Sequence, residues 1–444
     1  MSNKGWNIIS FLGIAVLFIA VANNLNWSEK NAKRIVRSDA RGYYAYLPGT
    51  FLYQDMQFEF VYHIDSSYQQ FHKEVPFRQE IDGNTINKYP AGVSLLLSPF
   101  FAVGHIMSGI SEYPQDGYSR WYQVMVNVAA IVYMIIGLMF LFSILKQLNV
   151  SRRNRLFILW VIALGTPLFH YTVKEPGMSH VYSFVLISAF IHLTLAIYKR
   201  LKWPQVFAAS IVLGLIVMTR PINIMILFAV PFFAQNKNHF IQTFRQLFNP
   251  FYNVLIGISG FIIALSPQLI YYYTQSGQLW VDSYPGEHFN FLDPHILDFL
   301  FSYKKGFFLY TPIAFLALWG FTYIWKKDRY KALSLGAFLI LIVYVSSSWW
   351  SWWYGGSFSA RVMIEYLPFF GILLGFVLSG IKTPMAKKGW ITALVLLMLV
   401  CQIQTFQYRY EAIHYENMDK ELYWDNFLRI DKIILKKGPD KSPN

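Results

Sequence analysis

Residues 91–110 read AGVSLLLSPFFAVGHIMSGI, and the way this run is laid decides the topology of everything after it. Its length and apolarity suffice to cross a bilayer core, which takes about 20 residues as a helix. If it crosses, Lys146, Arg152, Arg153 and Arg155 fall outside and every later loop inverts. If it lies in the membrane plane or re-enters, five basic stretches share one side: 146–155, 199–202, 237–245, 326–331 and 382–388. Basic loops on one side are what the positive-inside rule requires. Pro99 in the middle of the run, and His105 beyond it, also weigh against a span. The in-plane reading is therefore adopted.

Outward from that choice the chain reads as an all-α, polytopic transmembrane bundle. It has 444 residues, of which 55% are hydrophobic, 19% aromatic and 14% charged, with mean hydropathy +0.34. A soluble domain carries about 25% charged residues. About eleven spans are expected, near 7–23, 121–145, 156–172, 179–198, 204–219, 221–234, 251–273, 307–325, 332–348, 362–380 and 390–407. Residues 1–408 form the membrane domain, with a long first outer loop, 24–120, containing interfacial helices; residues 409–444 form an outer tail. The N-terminus is expected in the cytoplasm and the C-terminus outside, in a cytoplasmic (inner) membrane. Lys432, Lys436, Lys437 and Lys441 in the tail run against the charge trend, which is strongest at short loops. The first span ends Ala20-Val21-Ala22, like a signal peptide. It is read as an uncleaved anchor, because the residues after it carry chemistry.

The net charge of +14 sits mostly in short loops, so it indicates topology and not nucleic acid. The single cysteine, Cys401, lies in an apolar run, so an internal disulfide is excluded. Ionisable residues are nearly absent from the span middles, His192 being the main exception and read as structural. They gather at outer helix ends: Asp39, Lys88, Glu175, His180, Arg220, Lys304, Lys305, Arg361 and Glu365. Ion-coupled transport needs charge near the midplane. This distribution instead describes an outward cavity at the membrane surface, suited to a lipid-linked substrate. Lys30, Lys33, Arg34 and Arg37, at helical spacing, form a basic stripe beside the membrane. SDARGYYAYLP (38–48) follows, placing Asp39 between cations and before an aromatic platform that includes Tyr44. The plain alternative is that Asp39 caps a helix.

One span followed by a long outer loop that opens with an acidic residue and aromatics resembles the GT-C glycosyltransferases, such as protein mannosyltransferases and aminoarabinose transferases. KYPAG (88–92) sits where those families carry a Lys-Pro-Pro-like turn before an interfacial helix. Arg120, KEPGMSH (174–180) and TRP (219–221) resemble their later elements. KGFFLYTP (305–312) and WYGGSFSAR (353–361) look like a less characterised bacterial branch. One departure is Glu175, where aspartate is more usual. The resemblance implies a polyprenyl-phosphate sugar as donor, a glycan, lipid or protein as acceptor, and transfer with inversion at the anomeric carbon.

On that expectation Asp39 is the base, with Glu175 as the second catalytic acid. Lys88 and Arg361 hold the phosphate, with Lys305 and Arg220 in reserve. Substrate contacts are also expected from His180, Tyr44 and Tyr354. Asp39, Glu175 and His180 are donors that could hold a divalent metal, although such scattered ligands also fit a metal-free site. Arg361 stands four residues before Glu365, so an ion pair between them is the rival to its phosphate role. Most of WWSWWY (349–354) reads as an interfacial belt. Rival functions are a lipid-linked glycan flippase, a non-catalytic scaffold and an O-antigen-type polymerase or ligase, which places its large loop late in the chain.

Overall fold

The computed structural model describes residues 3–64 and 75–436; Lys437 and Lys441 of the tail, and residues 65–74 of the first loop, lie outside the described residues. The principal helices are α1 (Asn3–Asn26), α2 (Ala40–Phe51), α3 (Gly92–Ile110), α4 (Arg120–Gln147), α5 (Arg152–Leu164), α6 (Ser179–Lys199), α7 (Trp203–Thr219), α8 (Lys237–Phe248), α9 (Tyr252–Ser276), α10 (Arg329–Ser347), α11 (Leu367–Gly380), α12 (Pro384–Arg409) and α13 (Lys420–Asn426). Among the described residues the strands are β1 (Arg78–Ile81) and β2 (Asn84–Asn87), paired antiparallel. Among the described residues eight helices are long and apolar enough to cross a membrane by length and composition. Their outward faces are apolar: Leu12 and Val16 of α1, and Leu255, Ile262 and Ile270 of α9, are all more than half exposed. Such surface is stable only in lipid. The chain is a multi-pass helical membrane protein.

Six of the expected spans are single long helices, α3 is another, and Arg361–Gly380 joins a 3-10 segment to α11. The others are short or interrupted. The segment expected at 307–325 is three pieces, Phe307–Tyr310, Pro312–Ala317 and Gly320–Lys327. The stretch expected at 221–234 is a 3-10 helix, Pro221–Ala229, followed by one α-turn, Val230–Phe233. A 3-10 helix rises about 2.0 Å per residue against about 1.5 Å for an α-helix, so this short stretch reaches roughly 24 Å.

The chain folds as two units. The first comprises residues 1–144 and 171–287. At one end of it α1, α4 and the segment before α6 meet: the Asn26 amide donates to the Asn127 side chain (3.2 Å), which donates to the Thr172 carbonyl (2.9 Å). Arg120 donates to the Trp27 carbonyl (3.2 Å). Helices α7 and α9 run in the same direction in close contact, because a Cβ at Gly214 would stand 2.7 Å from the Phe261 carbonyl oxygen and one at Gly260 3.0 Å from that of Phe207. Helix α3 is continuous through Pro99. It starts against Thr219, the last residue of α7, and Gly104 lies against Tyr122 near the start of α4. Both neighbours belong to the same end of the unit, so α3 returns to the end it leaves, as an in-plane helix does.

The second unit comprises residues 145–170 and 288–444. Asn154 of α5 donates to the Leu378 carbonyl of α11 (3.0 Å), and Gly375 of α11 packs on Leu145 and Val150. The tail is built into this unit: Ile413, Met418 and Tyr423 join Tyr310 and Phe358 in one apolar cluster, and the Tyr423 hydroxyl accepts from Gln404 (2.9 Å).

Candidate functional site

In the first unit the turn from Ser38 to Asp39 places the acid. Ser38 has φ 50°, the left-handed region that non-glycine residues enter at a cost. Asp39 is the N-cap residue of α2, yet its side chain makes no capping hydrogen bond. The helix-capping alternative therefore fails.

The residues that face it arrive through the hairpin. Asp82 (φ 50°) and Gly83 (φ 76°) supply the two positive φ values of a type I′ turn. After β2, the buried Asn87 amide donates to the Gly42 carbonyl (2.9 Å) while its oxygen accepts the Tyr89 N–H (3.0 Å). The Tyr46 hydroxyl donates to the Tyr89 carbonyl (2.8 Å). The Tyr89 ring rests on Gly42, where any Cβ would come within 2.3 Å of it, and packs on Tyr43 at 4.8 Å. Gly42 lies one helical turn beyond Asp39, so Tyr89 stands over the acid.

KYPAG also sets where Lys88 stands. A Cβ at Gly92 would lie 2.5 Å from the Thr219 nitrogen, so the start of α3 abuts the backbone that leads into Arg220. Arg220, in turn, is 3.5 Å from Nδ1 of the buried His180, whose ring meets Tyr171 edge-on at 5.2 Å. Tyr284, beyond α9, is the hub. Its ring meets Tyr89 at 6.4 Å and carries the Lys88 ammonium 5.0 Å from its centroid. Lys88 forms an ion pair with Glu287, and its carbonyl accepts from Ser283 (2.9 Å).

The electrostatics report the same gathering. Burial first, and the Asp39 charge next, hold the Tyr89 phenol well above its ordinary value; Tyr89 also hydrogen-bonds Asp39. Burial likewise raises Tyr284, reinforced by Tyr43, opposed by Arg220, and reinforced again by Asp39 and Glu287. Burial lowers Arg41, against the pull of Tyr89, Tyr118 and Asp39. One phenol thus senses Arg220, Asp39 and Glu287 together. Asp39, Lys88, Arg220 and His180 are brought to one place, with Tyr43, Tyr89, Tyr284 and Glu287 as members the sequence did not single out.

Two expected members behave otherwise. Tyr44 is 1% exposed, donates to the Gly117 carbonyl (2.6 Å) and packs on Tyr118, while its neighbour Tyr43 is the one that meets Tyr89. Glu175 forms an ion pair with Arg37 at 3.1 Å. Among the described residues no three His, Cys, Asp or Glu side chains come together as a metal-holding group.

The remaining candidates belong to the second unit. Lys305 is 2% exposed, donates to the Ser357 carbonyl and lies 5.7 Å from the Tyr408 ring centroid. It is a buried cation held on a backbone carbonyl. Tyr354 donates to the Ser346 carbonyl (2.9 Å). Arg361 opens a 3-10 segment, Arg361–Tyr366, that contains the buried Glu365. In the aromatic run, Trp352 stacks on His295 (5.8 Å) and Trp353 lies under Lys304 (4.1 Å).

Neither a family model nor a curated protein matches the chain. Among solved structures, the apo oligosaccharyltransferase of Archaeoglobus fulgidus aligns with 99% of the chain at 10% identity and a TM-score of 0.51. The same enzyme tethered to an acceptor peptide aligns with 100% at 12% identity and a TM-score of 0.50. ArnT of Cupriavidus metallidurans bound to undecaprenyl phosphate aligns with 98% of the chain and 73% of its own length, at 14% identity and a TM-score of 0.49. The chain spans 59% and 60% of the two oligosaccharyltransferase structures. At these identities the likeness is one of fold: the chain shares the fold of that oligosaccharyltransferase.

Proposed function

We propose that the chain is a membrane glycosyltransferase that moves a sugar from a polyprenyl-phosphate donor to an acceptor hydroxyl at the outer face of the cytoplasmic membrane. The acceptor oxygen attacks the anomeric carbon with inversion as the bond to the phosphate oxygen breaks. Asp39 takes the acceptor proton, and polyprenyl phosphate leaves. Lys88 and Arg220 neutralise the charge that develops on the departing phosphate, which cations in a water-poor site do far better than in bulk water. Lys88 exchanges Glu287 for the phosphate when the donor binds. The rings of Tyr43, Tyr89 and Tyr284 supply flat faces for the sugar.

The observation that carries this reading is the gathering at Tyr284, whose ring centroid lies 5.0 Å from the Lys88 ammonium and 6.4 Å from that of Tyr89, with Lys88 paired to Glu287 and Tyr89 hydrogen-bonded to Asp39. A scaffold has no need to collect an uncapping carboxylate and opposed charges from separate loops. The shared fold of an oligosaccharyltransferase supports the reaction class. Arg361 remains an expectation from sequence, to be tested by its own alanine variant.

The test is Asp39→Asn, assayed in membranes with a panel of polyprenyl-phosphate sugars by release of polyprenyl phosphate. General-base catalysis contributes about 10²–10⁴-fold, and a loss in that range is expected with donor binding retained. Undiminished transfer by a correctly folded variant would remove Asp39 as the base.

A further inference from the structure

We infer that Glu175 is a positioning residue that holds the Asp39 turn through Arg37, not a second catalytic acid. The inference rests on the reading of Asp39 as the base. The Arg37 Nη2–Glu175 Oε1 distance is 3.1 Å, and the Glu175 side chain is 12% exposed against 41% for Arg37. The acid is thus the fixed half of the pair, set in the segment before α6, and the arginine reaches to it. Arg37 is separated from Asp39 only by Ser38, the residue at φ 50°. A left-handed non-glycine residue persists only where its surroundings over-determine it.

Those surroundings grip the turn from several directions. On the N-terminal side the Val36 N–H donates to the buried Gln123 side chain (2.8 Å). Within the turn the Ala40 and Arg41 N–H groups donate to the Arg37 and Ser38 carbonyls (3.1 Å each). On the C-terminal side Gly177, two residues from Glu175, seats on Ala40 so closely that a Cβ there would stand 2.6 Å from that of Ala40. KEPGMSH therefore touches the turn twice, by charge at Arg37 and by backbone at Ala40, with Asp39 between the two contacts. Asp39 makes no capping bond, so the backbone position from which its carboxylate reaches Tyr89 is set by these contacts.

A brace by ion pair can be reversed in sign; an acid that touches substrate or metal cannot. The experiment uses the full-length protein in lipid nanodiscs with Glu175→Gln, Arg37→Glu, Glu175→Arg and the double variant Arg37→Glu/Glu175→Arg. Turnover and donor KM are measured, and backbone amide exchange is followed over residues 36–42. Displacing a catalytic group by about 1 Å costs up to about 10²-fold. Each single variant is expected to lower kcat about tenfold or more with donor KM little changed, and to speed exchange of 36–42. The double variant is expected to recover most of both. Wild-type kcat and exchange in Glu175→Gln overturns the inference, as does a double variant no better than Glu175→Arg. If even the wild-type protein transfers no sugar, the transfer reading fails on its own, and exchange of 36–42 across the four variants still decides the brace.

Discussion

Lys88 and Lys305 are the same residue type, each just before the start of a helix, and the two units treat them in opposite ways. Lys88 keeps about a fifth of its side chain exposed and is paired to a carboxylate of similar exposure. Lys305 is buried and bound to a backbone carbonyl. An ion pair at the surface is worth little and exchanges readily. A buried cation on a carbonyl is held, because removing either member strands a desolvated group. A lysine's availability thus depends on what satisfies it more than on where it lies in the chain, and four measurements test that contrast.

The largest effect is expected from Lys88→Ala. Loss of one preorganised charge contact costs about 10²–10³-fold in turnover, and melting of the purified protein should move by no more than an exposed ion pair's worth, about 1 kcal/mol. A large melting shift with donor use intact would erase the distinction. Lys305→Ala should do the reverse: about 1–3 kcal/mol of stability lost by stranding the Ser357 carbonyl, with donor KM close to wild type. Loss of donor binding at unchanged stability would return Lys305 to the phosphate site.

Glu287→Gln comes next and is a gain. Releasing Lys88 from its partner should tighten polyprenyl phosphate binding by up to about fivefold, the range of an exposed ion pair; weaker binding would mean that Glu287 contacts the donor. The smallest effect is on the alkaline side. Tyr89 and Tyr284 have raised values, so the fold favours their neutral forms. Their contribution is intact below the ordinary value of 10.0 and is lost as pH rises through the higher folded values. Melting should therefore fall more steeply above pH 10 in the wild-type protein than in Tyr89→Phe, and equal slopes would show that the phenols do not couple to folding.

Part of this site was legible in the sequence. Asp39, Lys88, Arg220 and His180 each stand where an apolar run begins or ends, and Pro90 and Pro221 mark two of those boundaries, so topology alone put them at one end. Glu287 and Tyr284 were not legible. Lys88 and Glu287 are 199 residues apart, and no local pattern distinguishes a loop carboxylate that reaches a distant lysine from one that faces water. Tyr43 and Tyr44 adjoin each other in GYYAY; which of them faces Tyr89 is a matter of helix phase, fixed only when α2 packs. Lys304 and Lys305 pose the same problem, and the fold sends one over Trp353 and the other inward. Asp82-Gly83 was an open hairpin signal. A short polar hairpin carries little weight in a chain read for apolar spans.

At Gly92 the main chain of one segment touches the main chain of another, with the Thr219 nitrogen and Met218 carbonyl carbon 2.5 and 2.6 Å from where a Cβ would be. Lys88 and Arg220 hang from the two sides of that contact, so the gauge between them has no soft part. Side chains around it can be exchanged and the charge of the pocket rewritten one codon at a time. The width cannot be rewritten so easily, since even a methyl group at position 92 must move backbone. Among descendants of this chain, the side chains around the contact should therefore drift sooner than the backbone spacing that carries the two cations.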